Sequence, residues 1–320
     1  MRAIEYFEYG SPEVLQLTEV DKPIPKDREV LIRIMATAVN SADWRLRKAD
    51  PFAVRFILGL RKPKKNILGG VFSGVIESVG KYVTLYSVGD EVFGSAAMHF
   101  GAYAEYVCLP ENCPMARKPV NISHPEAAVI PFGATAALHF LRKASIRKGQ
   151  KVLIYGASGA IGTAAVQLAK YYGAHVTGVC STANIDLVKT LGADQVVDYT
   201  KDDFTKNGET YDVIFETVNK ITYSQSLESL TKEGELILAA SGLTGMIRGL
   251  WTSMTSNRKV FTGVISENAR DMMFLKKLIE ESKLKPVIDR TYALEQMVEA
   301  HTYVEQGHKK GNVAIIIAEK

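Results

Sequence analysis

Short runs of branched apolar residues, cut by Gly, Pro and Asp, dominate the first 120 residues: VLQLTEV, EVLIRIMATAV, FSGVIESVG, VGDEVFG and GAYAEYVCLP. Such runs predict short strands joined by turns. The period changes after Pro125. GATAALHFLRKASI repeats its apolar positions at helical spacing, and KVLIYG reads as a buried strand. HVTGVC, IDLVKTLG, QVVDY, YDVIFETV, SQSLESL and GELILAAS then alternate strand and helix, which predicts βαβ units on a parallel sheet. A helix at ARDMMFLKKLIEES follows, and the terminal NVAIIIAEK is strand-like again. That last strand has no place in a sheet whose units are already complete, so it points back to the first domain. There is no internal repeat and no low-complexity segment.

The remaining bulk properties narrow the class. The chain has 320 residues, 47% of them hydrophobic and 23% charged, as in a folded domain or two. A net charge of +4 is too mild to imply nucleic acid. MRAIEYFEYG lacks the apolar core of a signal peptide. No apolar run approaches the roughly 20 residues of a membrane span, so no membrane partner is expected. Cys108, Cys113 and Cys180 are odd in number and irregularly spaced, which argues against a disulfide framework and for a cytoplasmic location. One stretch stands out: RLRKADPFAVRFILGLRKPKKN holds eight Lys or Arg against one Asp, around an apolar centre. It reads either as a lid or basic collar, or as a surface helix with solvated ends.

The most specific signal is YGASGAIG. Gly156, Gly159 and Gly162 fall between the strand KVLIYG and the helix GAIGTAAVQLAKYY, the context that the dinucleotide fingerprint requires. Gly156 permits the tight turn, Gly159 lets backbone approach a pyrophosphate, and Gly162 lets the helix pack on the sheet. The first helical N–H groups, with the helix dipole, then face the phosphates. Other chemistries are poorly supported. There is no phosphate loop of the G-x-x-x-x-G-K-[ST] type and no H-E-x-x-H. GASGA misses the serine-hydrolase elbow at Ala160. The six histidines are scattered, and no tyrosine has a lysine four residues later.

Taken together, VIPFGATAALHFL, GQKVLIYGASGAIGTAAVQLAKYYGAHVTGVCST and LGADQVVDY resemble the medium-chain dehydrogenase/reductases, and more narrowly their zinc-free quinone oxidoreductase branch. AVNSADWRLR, GVFSGVIESVG, VGDEVFG, GAYAEYV and AHTYVEQGHKKGNVAI match in order, so the resemblance covers essentially the whole chain. It implies an α/β protein: a GroES-like β-domain over 1–122, completed by 285–320, and a doubly wound Rossmann domain over 123–284. It also implies an active site in the cleft between the domains. The positions of the family's catalytic zinc ligands are Asn40, the pair Gly70-Val71, and Pro131. None offers a metal-binding side chain of the needed type. Only 11 residues separate GDEV from AEY, too few for a structural-zinc lobe. No metal is therefore expected.

Without a Lewis acid the hydride acceptor must already be electron-poor, such as a quinone or an activated alkene or carbonyl. The resemblance implies that Asn40, as an amide donor, and Thr135 lie at the nicotinamide end. Turn satisfaction for Asn40 and a helix cap near Gly133 for Thr135 are the plain alternatives. The cofactor loop is Gly156, Ala157, Ser158, Gly159, Ala160, Ile161 and Gly162. Val218, Ala240, Ser241, Gly242 and Val264 match strand ends lining the family's cofactor groove. NADPH is expected over NADH, because Cys180, followed by Ser181 and Thr182, stands where NAD enzymes place a carboxylate. Tyr199 is implied as a further donor to the 2′-phosphate. The segment Ala183 to Ile185 lacks the cation the family often has, and Glu216, Asn219 and Asn312 depart from its usual Asp, Gly and Lys. A homodimer paired near KVFTGV, residues 259–264, is implied. The leading reading is an NADPH-dependent quinone oxidoreductase-like reductase. Its rivals are an enoyl or 2-alkenal reductase and a non-catalytic dinucleotide-binding redox sensor.

Overall fold

A computed structural model describes residues 1–240 and 243–318. The chain opens with β1 (Arg2–Glu5), β2 (Gln16–Glu19) and the long β3 (Glu29–Val39). Two short helices, α1 (Ser41–Lys48) and α2 (Val54–Leu58), precede β4 (Val71–Val79), β5 (Glu91–Ser95), β6 (Tyr106–Pro110) and β7 (Met115–Arg117). Helix α3 (His124–Ala128) starts at Ser123, whose hydroxyl accepts from the Glu126 amide while the Glu126 carboxylate reaches back to the Ser123 N–H.

The middle of the chain is the parallel part. α4 (Ile130–Lys143) leads to β8 (Lys151–Tyr155), α5 (Ala160–Tyr171), β9 (His175–Cys180), α6 (Ile185–Thr190) and β10 (Gln195–Asp198). β11 (Tyr211–Glu216), α7 (Tyr223–Glu228), β12 (Leu230–Leu238), α8 (Leu243–Thr255) and β13 (Lys259–Phe261) follow. The six strands lie in the order β10-β9-β8-β11-β12-β13, all parallel, with the reversal at β8. This is the doubly wound order. Its strands are apolar along their length because both faces are covered: Val152, Leu153, Ile154, Val213, Ile214 and Phe215 are fully buried.

The chain then returns through α9 (Ala269–Glu280), β14 (Ile288–Ala293), α10 (Met297–Glu305) and β15 (Asn312–Ile316). β15 pairs antiparallel with the second half of β3, Val313 opposite Val39, while the first half of β3 pairs with β6. The stray terminal strand thus completes the sheet β14-β15-β3-β4-β5-β7.

Two compact units result: residues 1–132 with 267–282 and 286–320, and residues 133–266 with 283–285. The division differs from the expected 122/123 and 284/285 boundaries. α3 packs on β3 and β4, and α9 packs on β7, with Asn121 Nδ2 donating to Ile279 O at 3.0 Å. Both segments therefore belong with the β-rich unit. Among the described residues no helix is long and apolar enough to cross a membrane.

Candidate cofactor and active site

The cofactor loop is fixed by backbone before any ligand arrives. The N–H groups of Gly156 and Ala157 donate to Val179 O at 3.1 and 3.0 Å, and Gly159 N–H donates to Gly156 O at 3.0 Å. Gly156 has φ +80°, and a Cβ there would meet Thr217 Oγ1 at 2.5 Å. At Gly162 a Cβ would stand 2.1 Å from Gly156 O. Those two glycines answer to the fold. Gly159 differs. It has φ −82° and ψ 179°, which any residue adopts, and a Cβ would meet nothing closer than Gly156 O at 3.5 Å. Neither conformation nor protein packing calls for glycine there. Gly159 is also the N-cap of α5, whose first N–H groups have no intrahelical acceptor. An open cradle facing unpaired amides fits a phosphate-bearing dinucleotide.

Three further groups border this turn. Asn184 donates from Nδ2 to Ser158 Oγ at 3.1 Å and Ser181 Oγ at 3.2 Å, tying the glycine loop to the end of β9. Its buried Oδ1 has no partner among the described residues. Nothing in the sequence marks Asn184, because its role depends on Ser158 and Ser181, which folding brings to it. Thr182, expected as a phosphate donor, is instead bonded to the Asp198 carboxylate and lies 3.1 Å from Thr200 Oγ1. Asp198 pairs in register with Cys180, so a carboxylate does stand beside the strand end read as free of one. Thr182, Thr200 and Lys201 engage it and hold its pKa down. Tyr199 is half-exposed and shares a cavity of about 390 Å³ with Tyr155, Lys201 and Lys220.

The other expected groove residues divide. Val218 follows β11 in a loop ordered by the buried Glu216, whose carboxylate accepts from the Val218 and Lys220 N–H groups at 3.1 and 3.0 Å. Burial pushes the Glu216 pKa up. Asn219 has φ +58°, the left-handed region that explains the family's usual glycine and that Asn tolerates. Asn312, the third departure, donates from Nδ2 to Val287 O at 3.1 Å. Ala240 lies two residues past β12. Val264 is three residues beyond the end of β13 and 95% exposed, so it does not stand at a strand end. Ser241 and Gly242 lie outside the described residues. Thr135 sits inside α4 rather than capping it, is buried, and has no partner for Oγ1 among the described residues.

In the β-rich unit Asn40 closes β3 and caps α1 through its backbone. Its N–H donates to Asp43 Oδ2 at 2.7 Å, and its side-chain amide and the Tyr103 hydroxyl also hold that carboxylate. Buried Oδ1 is left without a partner among the described residues. The unpartnered atom of this side chain is thus an acceptor, whereas the sequence reading assigned it a donor's part. Behind it runs a buried chain of polar groups: Tyr103 Oη lies 3.2 Å from His301 Nε2, and Arg47, fully buried, pairs with Glu305. Burial raises the Asp43 pKa to about 7 and lowers that of His301 to about 3, the Arg47 charge adding to the latter.

The positions matching the family's zinc ligands carry Asn40, Gly70-Val71 and Pro131, residue types outside the Cys, His and carboxylate set that binds catalytic zinc. Among the described residues no group of three His, Cys, Asp or Glu is placed to hold an ion. Ser95 Oγ instead joins Gly70 O, at 3.2 Å, to the Glu267 carboxylate, at 2.6 Å. Burial raises the Glu267 pKa, and the Ser95 hydrogen bond opposes that shift. Its distance along the chain hid it from the sequence reading. The three cysteines are free thiols, each pushed up to about 11 by burial.

Comparisons with known proteins establish the family. Residues 26–119 match the family model described as alcohol dehydrogenase GroES-like domain, and 191–315 match one described as zinc-binding dehydrogenase. A quinone-oxidoreductase homolog from Spinacia oleracea is 32% identical over 98% of both chains. The chain belongs to the medium-chain dehydrogenase/reductase superfamily, in its quinone oxidoreductase-like branch. An NADPH-dependent alkenal/one oxidoreductase from Arabidopsis thaliana is 30% identical over 98% of this chain and 79% of its own. The solved quinone oxidoreductase from Coxiella burnetii is 30% identical, covers 99% of both chains and superposes with a TM-score of 0.90.

Proposed function

We propose that this protein is an NADPH-dependent reductase that passes hydride, without zinc, to a quinone or an activated alkene or carbonyl. The observation that carries the reading is Gly159, a helix-capping glycine that the protein's own conformation and packing do not explain. The names of the relatives supply the reaction class: one is a quinone-oxidoreductase homolog, another an NADPH-dependent alkenal/one oxidoreductase. When bound, the reduced nicotinamide supplies the hydride. In this reading the 156–162 turn, with Ala157, Ser158, Ala160 and Ile161, seats the pyrophosphate. Ser181 and Tyr199 take the 2′-phosphate, Val218 and Ala240 flank the cofactor, and Val264 remains a distal contact. Thr135 holds the carboxamide and Asn40 Oδ1 accepts from the ligand. Zinc independence is supported by the residue types at Asn40, Gly70-Val71 and Pro131.

Two further elements complete the proposal. The chain forms a homodimer through β13, whose outer edge pairs with no strand among the described residues. Cytoplasmic residence rests on the three free thiols, and cell fractionation tests it because both plant relatives are described as chloroplastic.

The deciding experiment is steady-state turnover with NADPH and with NADH across a panel of quinones and enones, with and without chelator. NADPH is expected to give the higher kcat/KM, by about tenfold or less: the phosphate gains hydroxyl donors but no cation at Ala183 to Ile185. Activity is expected to survive chelation. Tight NADPH binding with no turnover on any acceptor would establish the sensor instead, and one zinc per chain in metal analysis would remove the zinc-independent mechanism.

A further inference from the structure

The basic stretch 45–65 is neither a continuous surface helix nor buried. α1 ends at Lys48 and α2 lasts only five residues. The chain presents Phe52 before α2, Phe56 within it and Leu60 after it, at 63, 70 and 58% exposure. The Phe52 and Phe56 rings meet edge-on with centroids 6.3 Å apart, and Leu60 follows the helix break at Gly59, whose φ is +129°. Arg55 stacks over Phe52 and over Tyr9, and the Tyr9 hydroxyl donates to Gly59 O at 2.7 Å, which ties the loop to the body of its unit. Lys65 Nζ donates to Met98 O and His99 O at 2.8 and 3.0 Å, and Met98 is 55% exposed.

The charges around these apolar groups are unbalanced. No acidic residue occurs between Asp50 and Glu77, while Arg55, Arg61, Lys62, Lys64 and Lys65 do. Arg61, Lys62 and Lys64 are exposed and make no ion pair among the described residues. Exposed phenylalanines followed in the chain by exposed cations without ion pairs mark an interaction surface. A second copy fits it poorly, because a twofold contact would set this patch against itself and bring like charges together. A bilayer with anionic headgroups fits both parts: rings and the Leu60 side chain enter the acyl boundary while Arg and Lys stay among the phosphates.

We propose that the 50–65 loop docks this protein peripherally on membranes containing anionic lipid. The expectation of no membrane partner rested on the lack of a spanning segment, which leaves a surface mode open. Docking does not depend on the reductase reading, since its test measures no turnover. Purified full-length protein is sedimented with vesicles of phosphatidylcholine alone and of phosphatidylcholine mixed with phosphatidylglycerol. It is expected to pellet with the mixed vesicles only, and to be released by high salt. Replacing Arg61, Lys62 and Lys64 by Gln should lower the partition coefficient by about fivefold per charge. The pair Phe52→Ser and Phe56→Ser should lower it at low salt as well. Thermal midpoints equal to wild type show that each variant is folded, and the Gln variant stands alone if the Ser pair is not. Equal pelleting with neutral vesicles, none with either, or variants that bind like wild type would overturn the proposal. So would a shift in molar mass of the Ser pair by light scattering, which would assign the patch to a protein partner.

Discussion

At the residue scale the three glycines of one turn separate into different physical roles. Gly162 is a packing residue: a methyl group 2.1 Å from Gly156 O has no room. Gly159 is the ligand-facing one, and a single substitution exposes the difference. Gly159→Asp places a good N-capping side chain at the start of α5 with no backbone strain, so the fold should hold or gain a few tenths of a kcal/mol. The same carboxylate would fill the cradle and repel pyrophosphate. NADPH affinity should fall by at least about tenfold, the worth of one charge-assisted hydrogen bond. Fluorescence titration and a thermal melt on the same sample check both halves. Unchanged affinity would take Gly159 out of the site, while Gly162→Ala should lose stability. The glycine spacing was legible because a turn of fixed geometry writes itself into adjacent residues. Asn184, Asp198 and Glu267 were not, since each acts through partners that folding brings from elsewhere in the chain.

Elements were legible where burial imposes a period. The six parallel strands are apolar runs because both faces of the sheet are covered, and β15 betrayed its return by being a strand with no partner in its own neighbourhood. The strand that the resemblance implies near residues 259–264 is shorter, Lys259–Phe261. Beside it α8 carries Ile247, Leu250, Trp251 and Met254 at helical spacing, all at least 60% exposed. Gly249 lets α8 lie close on β13, a Cβ there meeting Val260 Cγ1 at 2.9 Å. An open strand edge and an apolar helix face thus adjoin on one unit, the surface the proposed dimer would cover. Light scattering at micromolar concentration should give the mass of two chains. Trp251→Glu should weaken the pairing by about 2 kcal/mol or more, roughly thirtyfold in dissociation constant. A monomeric wild type, or a variant that pairs as tightly, would contradict it.

At the scale of the whole molecule two buried titratable groups set opposing pH dependences on folding. Asp43 is held with a pKa of about 7 against 3.8 when unfolded. Between those values the folded state binds the extra proton, so this group's contribution is full below 3.8 and is lost as pH rises through 7. His301, with a pKa of about 3 against 6.5, does the reverse. Here the unfolded state binds the extra proton, and stability rises with pH until about 6.5. Both lie in one network with Tyr103, and the Arg47–Glu305 pair is packed against it. From about pH 4 to 6.5 the two slopes, each at most about 1.4 kcal/mol per pH unit, cancel. The contributions of these two groups should therefore offset each other across that range. Asp43→Asn removes one slope and leaves the other, so the variant should lose more stability on acidification than the wild type does. His301→Gln should do the opposite, losing stability as pH rises toward 7. Urea unfolding at several pH values measures all three profiles. Parallel profiles for the wild type and Asp43→Asn would mean that the Asp43 carboxyl is not held protonated, and that the buried network behind Asn40 is charged at neutral pH.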